Sequence, residues 1–247
     1  MNNSLNGQVA WITGGGSGIG LAGAIELARA GAHVVISGRN PETTALAETA
    51  LRTHGSAAAI LLDVADKLAV HSVAAQILAK HGRIDILVNS AGINTRERSL
   101  DNISLADWDS VIAINLSGLF YAVHAVLPSM RKRGGGLIVN VGSWAGLHPG
   151  RLSGVAYGAS KRAVNSLTES INIEECAHGI RATALIPGEV ATPILQKRAV
   201  IPTQAQQEVM VQPEDMGKAI LFLALMPART CVNELVITPT LNRSHLP

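Results

Sequence analysis

The sequence predicts an α/β fold, a doubly wound sheet of about seven mostly parallel strands with helices on both faces. Three observations carry that prediction. Short β-branched or apolar runs alternate with longer helical patterns along the whole chain. Most of the runs are continuously apolar, as strands buried on both faces of a parallel sheet should be. A glycine-rich turn also stands directly after the first run and opens the first helical pattern. Apolar residues make up 47% of the 247 and charged residues 15%, which is ample for a large core and wrong for disorder. No composition break, linker or repeat divides the chain, so residues 1–247 read as one domain.

Taken in order, the first strand is VAWIT from Val9, and the helix after it contains LAGAIELARAG, with Gly31 as its stop. HVVIS from His33, AAILL from Ala58 and IDILVN from Ile84 are the next three strands. Tyr121, following Phe120 in an apolar helical stretch, reads as core. Arg131-Lys132-Arg133 then runs into Gly134-Gly135-Gly136. These are cations at a helix C-terminus, where the dipole favours them and glycine permits a left-handed exit. GLIVNV from Gly136, IRATALI from Ile180 and ELVIT from Glu234 complete the sheet. Only Glu189 to Gln212, with Pro193 and Pro202, has no clear pattern, and a loop of that length is usually functional or mobile.

Several function classes drop out. A net charge of +2 is too small for nucleic acid as the main partner. The start, MNNSLNGQ, lacks a basic and an apolar region, and no window approaches the about 18 uninterrupted apolar residues of a membrane span. A cytoplasmic protein with no membrane partner is expected. Cys176 and Cys231 are far apart and read as packed thiols in a reducing compartment. The eight histidines form no HExxH or other cluster, so no metal site is expected.

In an open parallel sheet, ligands bind outside the carboxyl ends of the strands where the winding reverses. The first strand ends in Thr13-Gly14-Gly15-Gly16-Ser17-Gly18-Ile19-Gly20. Glycines let the backbone approach a pyrophosphate, and the free N–H groups and helix dipole attract its charge. Further on stands AYGASKRAVNSLTESI, in which Tyr157, one of only two tyrosines, precedes Lys161 by one helical turn. A phenol titrates near 10, and a cation on the same helix face favours its phenolate. On its own such a pair is more often surface packing.

Together and in order, Thr13-Gly14-x-x-x-Gly18-x-Gly20, Asn89-Ser90-Ala91-Gly92, Ser143, Tyr157-x-x-x-Lys161 and Pro187-Gly188 resemble the short-chain dehydrogenase/reductase family over essentially the whole chain. The resemblance implies a Rossmann-like sheet, a nicotinamide cofactor and hydride transfer between an alcohol and a carbonyl compound. It implies that Tyr157 is the general acid/base, that Lys161 lowers its pKa and binds the nicotinamide ribose, and that the positive nicotinamide ring adds to the effect. It implies that Ser143 binds the substrate oxygen and that Asn115, in AINLSG, helps hold a water relay to the lysine. By the same resemblance, the cofactor is met by Gly14, Ser17, Gly18, Ile19, Gly20, Asp63, Val64, Asn89, Ala91, Gly92, Pro187, Gly188, Val190 and Thr192, besides Tyr157 and Lys161. Ser90 departs from the commoner second asparagine of that motif. Relatives usually assemble as homotetramers, and the same is expected here.

After the second strand, where an acid would bind the adenosine ribose of NAD, the chain reads Ile36-Ser37-Gly38-Arg39-Asn40. Gly38 takes the acid's position, and Arg39 offers a fork suited to a 2′-phosphate. NADP(H) is therefore expected. Arg39 stacking on adenine and tolerating NAD is the alternative, as is an NAD-linked alcohol or hydroxy-acid dehydrogenase working oxidatively. A non-catalytic dinucleotide-binding regulator would typically have lost the tyrosine, lysine or serine, and all are present.

The substrate pocket is expected among Ile93, Asn94, Ser143, Trp144, Ala145, Ser153, Val155, Glu189 and the 189–212 loop. Glu189 and the lack of an obvious arginine clamp argue against an anionic substrate. Arg96, Arg98, Arg151, Lys197 and Arg198 lie near enough to weigh on the other side.

Overall fold

The structure is a computed structural model that describes residues 4–242. The chain begins with β1 (Val9–Thr13), α1 (Gly18–Arg29), β2 (His33–Gly38), α2 (Pro41–Arg52), β3 (Ala57–Leu61) and α3 (Lys67–His81). It continues through β4 (Ile86–Asn89), α4 (Leu105–Ile112), α5 (Gly118–Arg133), β5 (Gly136–Val141), the short α6 (Trp144–Leu147) and the long α7 (Val155–Glu175). It ends with β6 (Ile180–Pro187), α8 (Gln204–Glu208), α9 (Pro213–Leu225) and β7 (Glu234–Ile237).

The seven strands pair in the order β3-β2-β1-β4-β5-β6-β7. Every pairing is parallel, so the sheet is wholly rather than mostly parallel. From β1 the chain winds outward to β2 and β3, then returns to place β4 on the other side of β1. The winding therefore reverses between β1 and β4, where Thr13 and Asn89 stand opposite each other at the strand ends. That crevice is where a doubly wound sheet offers a ligand site.

Alternation along each strand divides the core into two layers. Ile12 packs with buried residues of α1, α2 and α9 on one face. Trp11 packs with those of α3, α5 and α7 on the other. Local signals start and stop the helices. The Asn40 side chain accepts from Thr43 N–H at 2.9 Å, with Pro41 as the first helical residue of α2. Asp66 accepts from the N–H groups of Leu68 and Ala69 at the start of α3. At the end of α5, Gly134 takes the left-handed conformation (φ 71°), as the basic cluster before it foretold. Of that cluster, Arg131 pairs with the buried Glu175, and Arg133 lies 3.1 Å from Asp85.

A wide π turn, Ala113–Ser117, joins α4 to α5. The combined stretch Leu105–Arg133 is long and apolar enough to cross a membrane, with a mean hydropathy of 1.7, and 44% of its most apolar window is buried. It buries Leu119, Ala122, Val123, Val126 and Met130 in the second core layer.

Two expectations need correction. Cys176 and Cys231 are free but exposed, not packed, because one follows the end of α7 and the other sits in the loop before β7. The 189–212 segment is also less irregular than its sequence implied. A 3-10 turn (Pro193–Lys197) and α8 lie within it, and a parallel bridge between Val190 and Val211 closes its base. The α8 start was legible after all, since Thr203 and Gln206 form a reciprocal capping box.

Candidate active site

A cleft of about 710 Å³ opens at the carboxyl ends of β1, β4, β5 and β6. One end of it is the glycine turn. Gly14 has φ 68°, and a Cβ there would lie 2.6 Å from the backbone nitrogen of Ala91. At Gly20 a side chain would run into the carbonyl of Gly14. These glycines bring the turn against the end of β4 and hold it low over the sheet. The α1 N-terminus behind it receives no side-chain cap from Ser17, so its first amides remain available to an anion. Thr192 closes over this end, its Cγ2 only 3.2 Å from where a Cβ of Gly18 would be. A cradle that side chains would fill, beside an uncapped helix start, fits the pyrophosphate of a dinucleotide.

The other wall is built by β5 and α7. Ser143 lies two residues past the end of β5, and its hydroxyl accepts from Ala145 N–H at 3.2 Å, capping α6. Tyr157 lies on the first turn of α7 and shares a hydrogen bond with Ser143. Lys161, one turn on, is buried and donates from Nζ to the Val141 carbonyl at 2.8 Å. That ammonium stands 5.7 Å from the centre of the Tyr157 ring.

The electrostatics differ from the sequence-based expectation. Burial pushes the Tyr157 phenol above its ordinary range. The Ser143 hydrogen bond and the charges of Arg198 and Arg98 pull it down, but by less. Burial also brings Lys161 from the usual 10.5 to about 8. In the chain alone, burial thus outweighs the groups that favour the phenolate. The Lys161 ammonium is hydrogen-bonded to Val141, and two further cations that act on the hydroxyl, Arg98 and Arg198, come from loops.

Asn115 sits in the π turn, fully buried behind the cleft wall. Its Oδ1 accepts from Ile93 N–H at 2.8 Å, and its Nδ2 donates to the Ile93 carbonyl at 2.9 Å and the Ser160 hydroxyl at 3.2 Å. It ties the segment after β4 to α7 and thereby positions both walls. A π turn is a common device for aiming such a residue. A Cβ at Gly92 would stand in van der Waals contact with both Asn115 Oδ1 (3.5 Å) and Lys161 Nζ (3.6 Å).

Among the other sequence-derived candidates, Gly14, Ser17, Gly18, Ile19, Ala91, Gly92, Pro187, Gly188, Val190 and Thr192 line the cleft, as do Ile93, Asn94, Trp144, Ala145, Ser153 and Glu189. Arg39 and Val64 line a smaller adjoining hollow of about 140 Å³, with Gly38 and Leu62. Five candidates lie outside these walls. Gly20 and Asn115 sit behind them. Asn89 is buried in the sheet, donating to Asn140 Oδ1 at 2.9 Å. Asp63 is exposed, turns its Oδ1 to Ala65 N–H at 3.0 Å and stands 4.0 Å from Arg39. Val155 is not in the cleft wall; it opens α7, with its N–H bonded to the Arg98 carbonyl at 3.1 Å.

Sequence reasoning missed Val141 and Ser160, whose roles depend on contacts across the fold. Of the five cations that it placed near the pocket, three are in the wall. Arg98, Lys197 and Arg198 line the cleft, whereas Arg96 and Arg151 do not. Glu189 is held by Arg198 at 2.8 Å.

The family described as short chain dehydrogenase matches residues 8–200. An uncharacterized oxidoreductase of Staphylococcus saprophyticus is 34% identical over 239 residues, covering 95% of this chain and 98% of the relative. The 3-oxoacyl-(acyl-carrier-protein) reductase of Thermotoga maritima is 36% identical over 231 residues, 89% of this chain and 91% of the relative. Among solved structures, a metagenomic short-chain oxidoreductase in complex with NADP is 32% identical with a TM-score of 0.83, covering 96% of this chain and 99% of that one.

Proposed function

The chain belongs to the short-chain dehydrogenase family and is an NAD(P)-dependent oxidoreductase, and on that premise we propose that it uses NADP(H) to interconvert a secondary alcohol and a ketone, with Tyr157 as general acid/base. The observation that carries this reading is the convergence of Ser143, Tyr157 and Lys161 on one wall of a cleft whose far end is the glycine cradle. When bound, the dinucleotide supplies the hydride for carbonyl reduction or takes it from the alcohol.

The chain's own residues handle the proton and the charge. The raised pKa keeps the Tyr157 phenol protonated at neutral pH, the form that donates to a carbonyl oxygen as it becomes an alkoxide. Ser143, bonded to the same hydroxyl, binds that oxygen as its charge develops. The phenolate left behind is stabilised by Ser143, by the Arg198 and Arg98 charges, and by the nearby ammonium of Lys161. Alcohol oxidation runs these transfers in reverse. Asn115 touches none of the reacting atoms; it is a positioning residue acting through Ile93 and Ser160.

The choice of NADP(H) draws on Arg39 beside Gly38 in the smaller hollow, with the neighbouring Thr44 hydroxyl buried and unpartnered. A relative's complex with NADP agrees with it. An NAD-linked, oxidative reading draws on the 4.0 Å approach of Asp63 to Arg39, which offsets part of the charge a 2′-phosphate would meet. Steady-state rates with NADPH and NADH over a panel of ketones, hydroxy acids, sugars and steroids test the proposal. It expects turnover and a higher kcat/KM with NADPH, and a clear preference for NADH would overturn the cofactor assignment. We further propose one catalytic unit over residues 1–247, located in the cytoplasm and assembled as a homotetramer.

A further inference from the structure

We propose that the substrate carries an oxyanion, a carboxylate or a phosphate, held by Arg98 and Arg198 within a few bonds of the carbon that exchanges hydride. This rests on the hydride-transfer reading and names the substrate class of that same cleft.

The first observation is an imbalance of charge. Among the described residues the cleft wall carries Arg98, Lys161, Lys197 and Arg198 against one carboxylate, Glu189. Glu189 presents no net repulsion to an incoming anion, because it is already paired with Arg198 Nη1 at 2.8 Å. Arg98 is satisfied by neutral groups. Its guanidinium donates to the carbonyls of Leu152 at 3.1 Å and Lys197 at 2.8 Å, with a longer contact to Arg96. The acid whose charge acts on Arg98, Glu97, is exposed and is not part of the cleft wall.

The second observation is proximity. Arg98 donates to the carbonyl of Lys197, the residue before Arg198, at 2.8 Å, so two partly buried like charges are held close together, and burial and the charge of Arg198 both lower the Arg98 pKa. Glu189 offsets the charge of Arg198 and leaves that of Arg98 without a carboxylate in the cleft wall, and guanidinium forks suit the planar or tetrahedral oxygens of carboxylate and phosphate. Both guanidinium groups also act on the Tyr157 hydroxyl. An anion held between them therefore lies beside the proton donor, as the acidic group of an oxo or hydroxy acid would.

The third observation is how the arginines are placed. Arg98 belongs to the segment after β4, and Arg198 follows the 3-10 turn of the 189–212 loop. The bond from Arg98 to the Lys197 carbonyl pins one to the other. The pair is thus a built feature of the pocket wall and not two mobile surface side chains.

Calorimetric titration of the protein, with and without NADP+, against butyrate, butyl phosphate and butyramide tests this without requiring turnover. The expected result is binding of at least one anion about tenfold or more tighter than the isosteric amide, and the anion preferred distinguishes carboxylate from phosphate. Arg98→Gln and Arg198→Gln should each erase most of that preference, and Arg198→Lys should retain part of it, with NADP+ binding confirming that each variant is folded. Equal binding of anions and amide, no binding of any of them, or a preference that survives both glutamine variants would overturn the proposal. Turnover of neutral ketones with no anion preference would discard the anion and keep the hydride-transfer reading. Anion binding as expected, with no alcohol or ketone turned over by either dinucleotide, would do the reverse.

Discussion

The ammonium of Lys161 stands 5.7 Å from the centre of the Tyr157 ring, yet its hydrogen bond runs to the carbonyl of Val141. The protein thus keeps a cation buried beside the Tyr157 ring, against the cost of its desolvation, as the proposed transient phenolate requires.

That buried lysine should show in the pH dependence of stability. Its folded pKa, about 8, lies below the usual 10.5. At pH 7 both folded and unfolded forms hold the proton, and the burial penalty is present in full. Between pH 8 and 10.5 the unfolded chain binds more protons, so stability rises with pH. The stability of the native protein relative to Lys161→Met should therefore increase above pH 8, by at most about 1.4 kcal/mol per pH unit. Denaturant titrations of both proteins at pH 7, 8, 9 and 10 read this difference directly. A flat or falling difference would mean that Lys161 is not buried as a cation.

Arg39 should set cofactor choice. Replacing Arg39 with Ala removes the fork opposite the 2′-phosphate and should lower kcat/KM for NADPH about 10- to 100-fold, as loss of a charge-assisted hydrogen bond does, while NADH is little affected. Equal losses with both dinucleotides would assign Arg39 to adenine stacking instead.

The glycine cradle gives a third expectation. Gly14→Ala combines φ 68° with a Cβ 2.6 Å from the nitrogen of Ala91. Strain of roughly 1–3 kcal/mol and displacement of the turn should weaken dinucleotide binding by about tenfold or more. Fluorescence titration with NADPH measures it, and an unchanged Kd would detach the turn from the cofactor.

Assembly is open to light scattering. Leu105 (84% exposed), Trp108 (38%) and Phe120 (45%) leave the α4–α5 face apolar, and Phe222 and Val236 do the same at α9 and β7. A tetramer at micromolar concentration is expected, and a monomer there would refute it.

The sheet was legible because parallel strands buried on both faces must be apolar throughout, so VAWIT and GLIVNV could be nothing else in this context. Tyr157 and Lys161 were legible because their four-residue spacing puts both on one helix face. What escaped were contacts between distant segments. Nothing local to Lys161 reveals that β5 offers it the Val141 carbonyl, and Arg98 and Arg198 meet only because the loops after β4 and β6 converge. Glu189 read as a negative wall for the same reason, since its partner Arg198 is set by the turn of the intervening chain. Val155 failed for a subtler cause: it stands two residues before Tyr157, and the start of α7 turns it away from the cleft.

The central claim is that the Tyr157 hydroxyl transfers the proton, and its most direct test is the single-turnover rate of Tyr157→Phe with NADPH and a ketone, alongside the variant's NADPH affinity. The account predicts nearly native affinity with turnover lost by a factor of about 10² or more. A phenylalanine variant that binds NADPH and reduces the ketone at close to the native rate would contradict it.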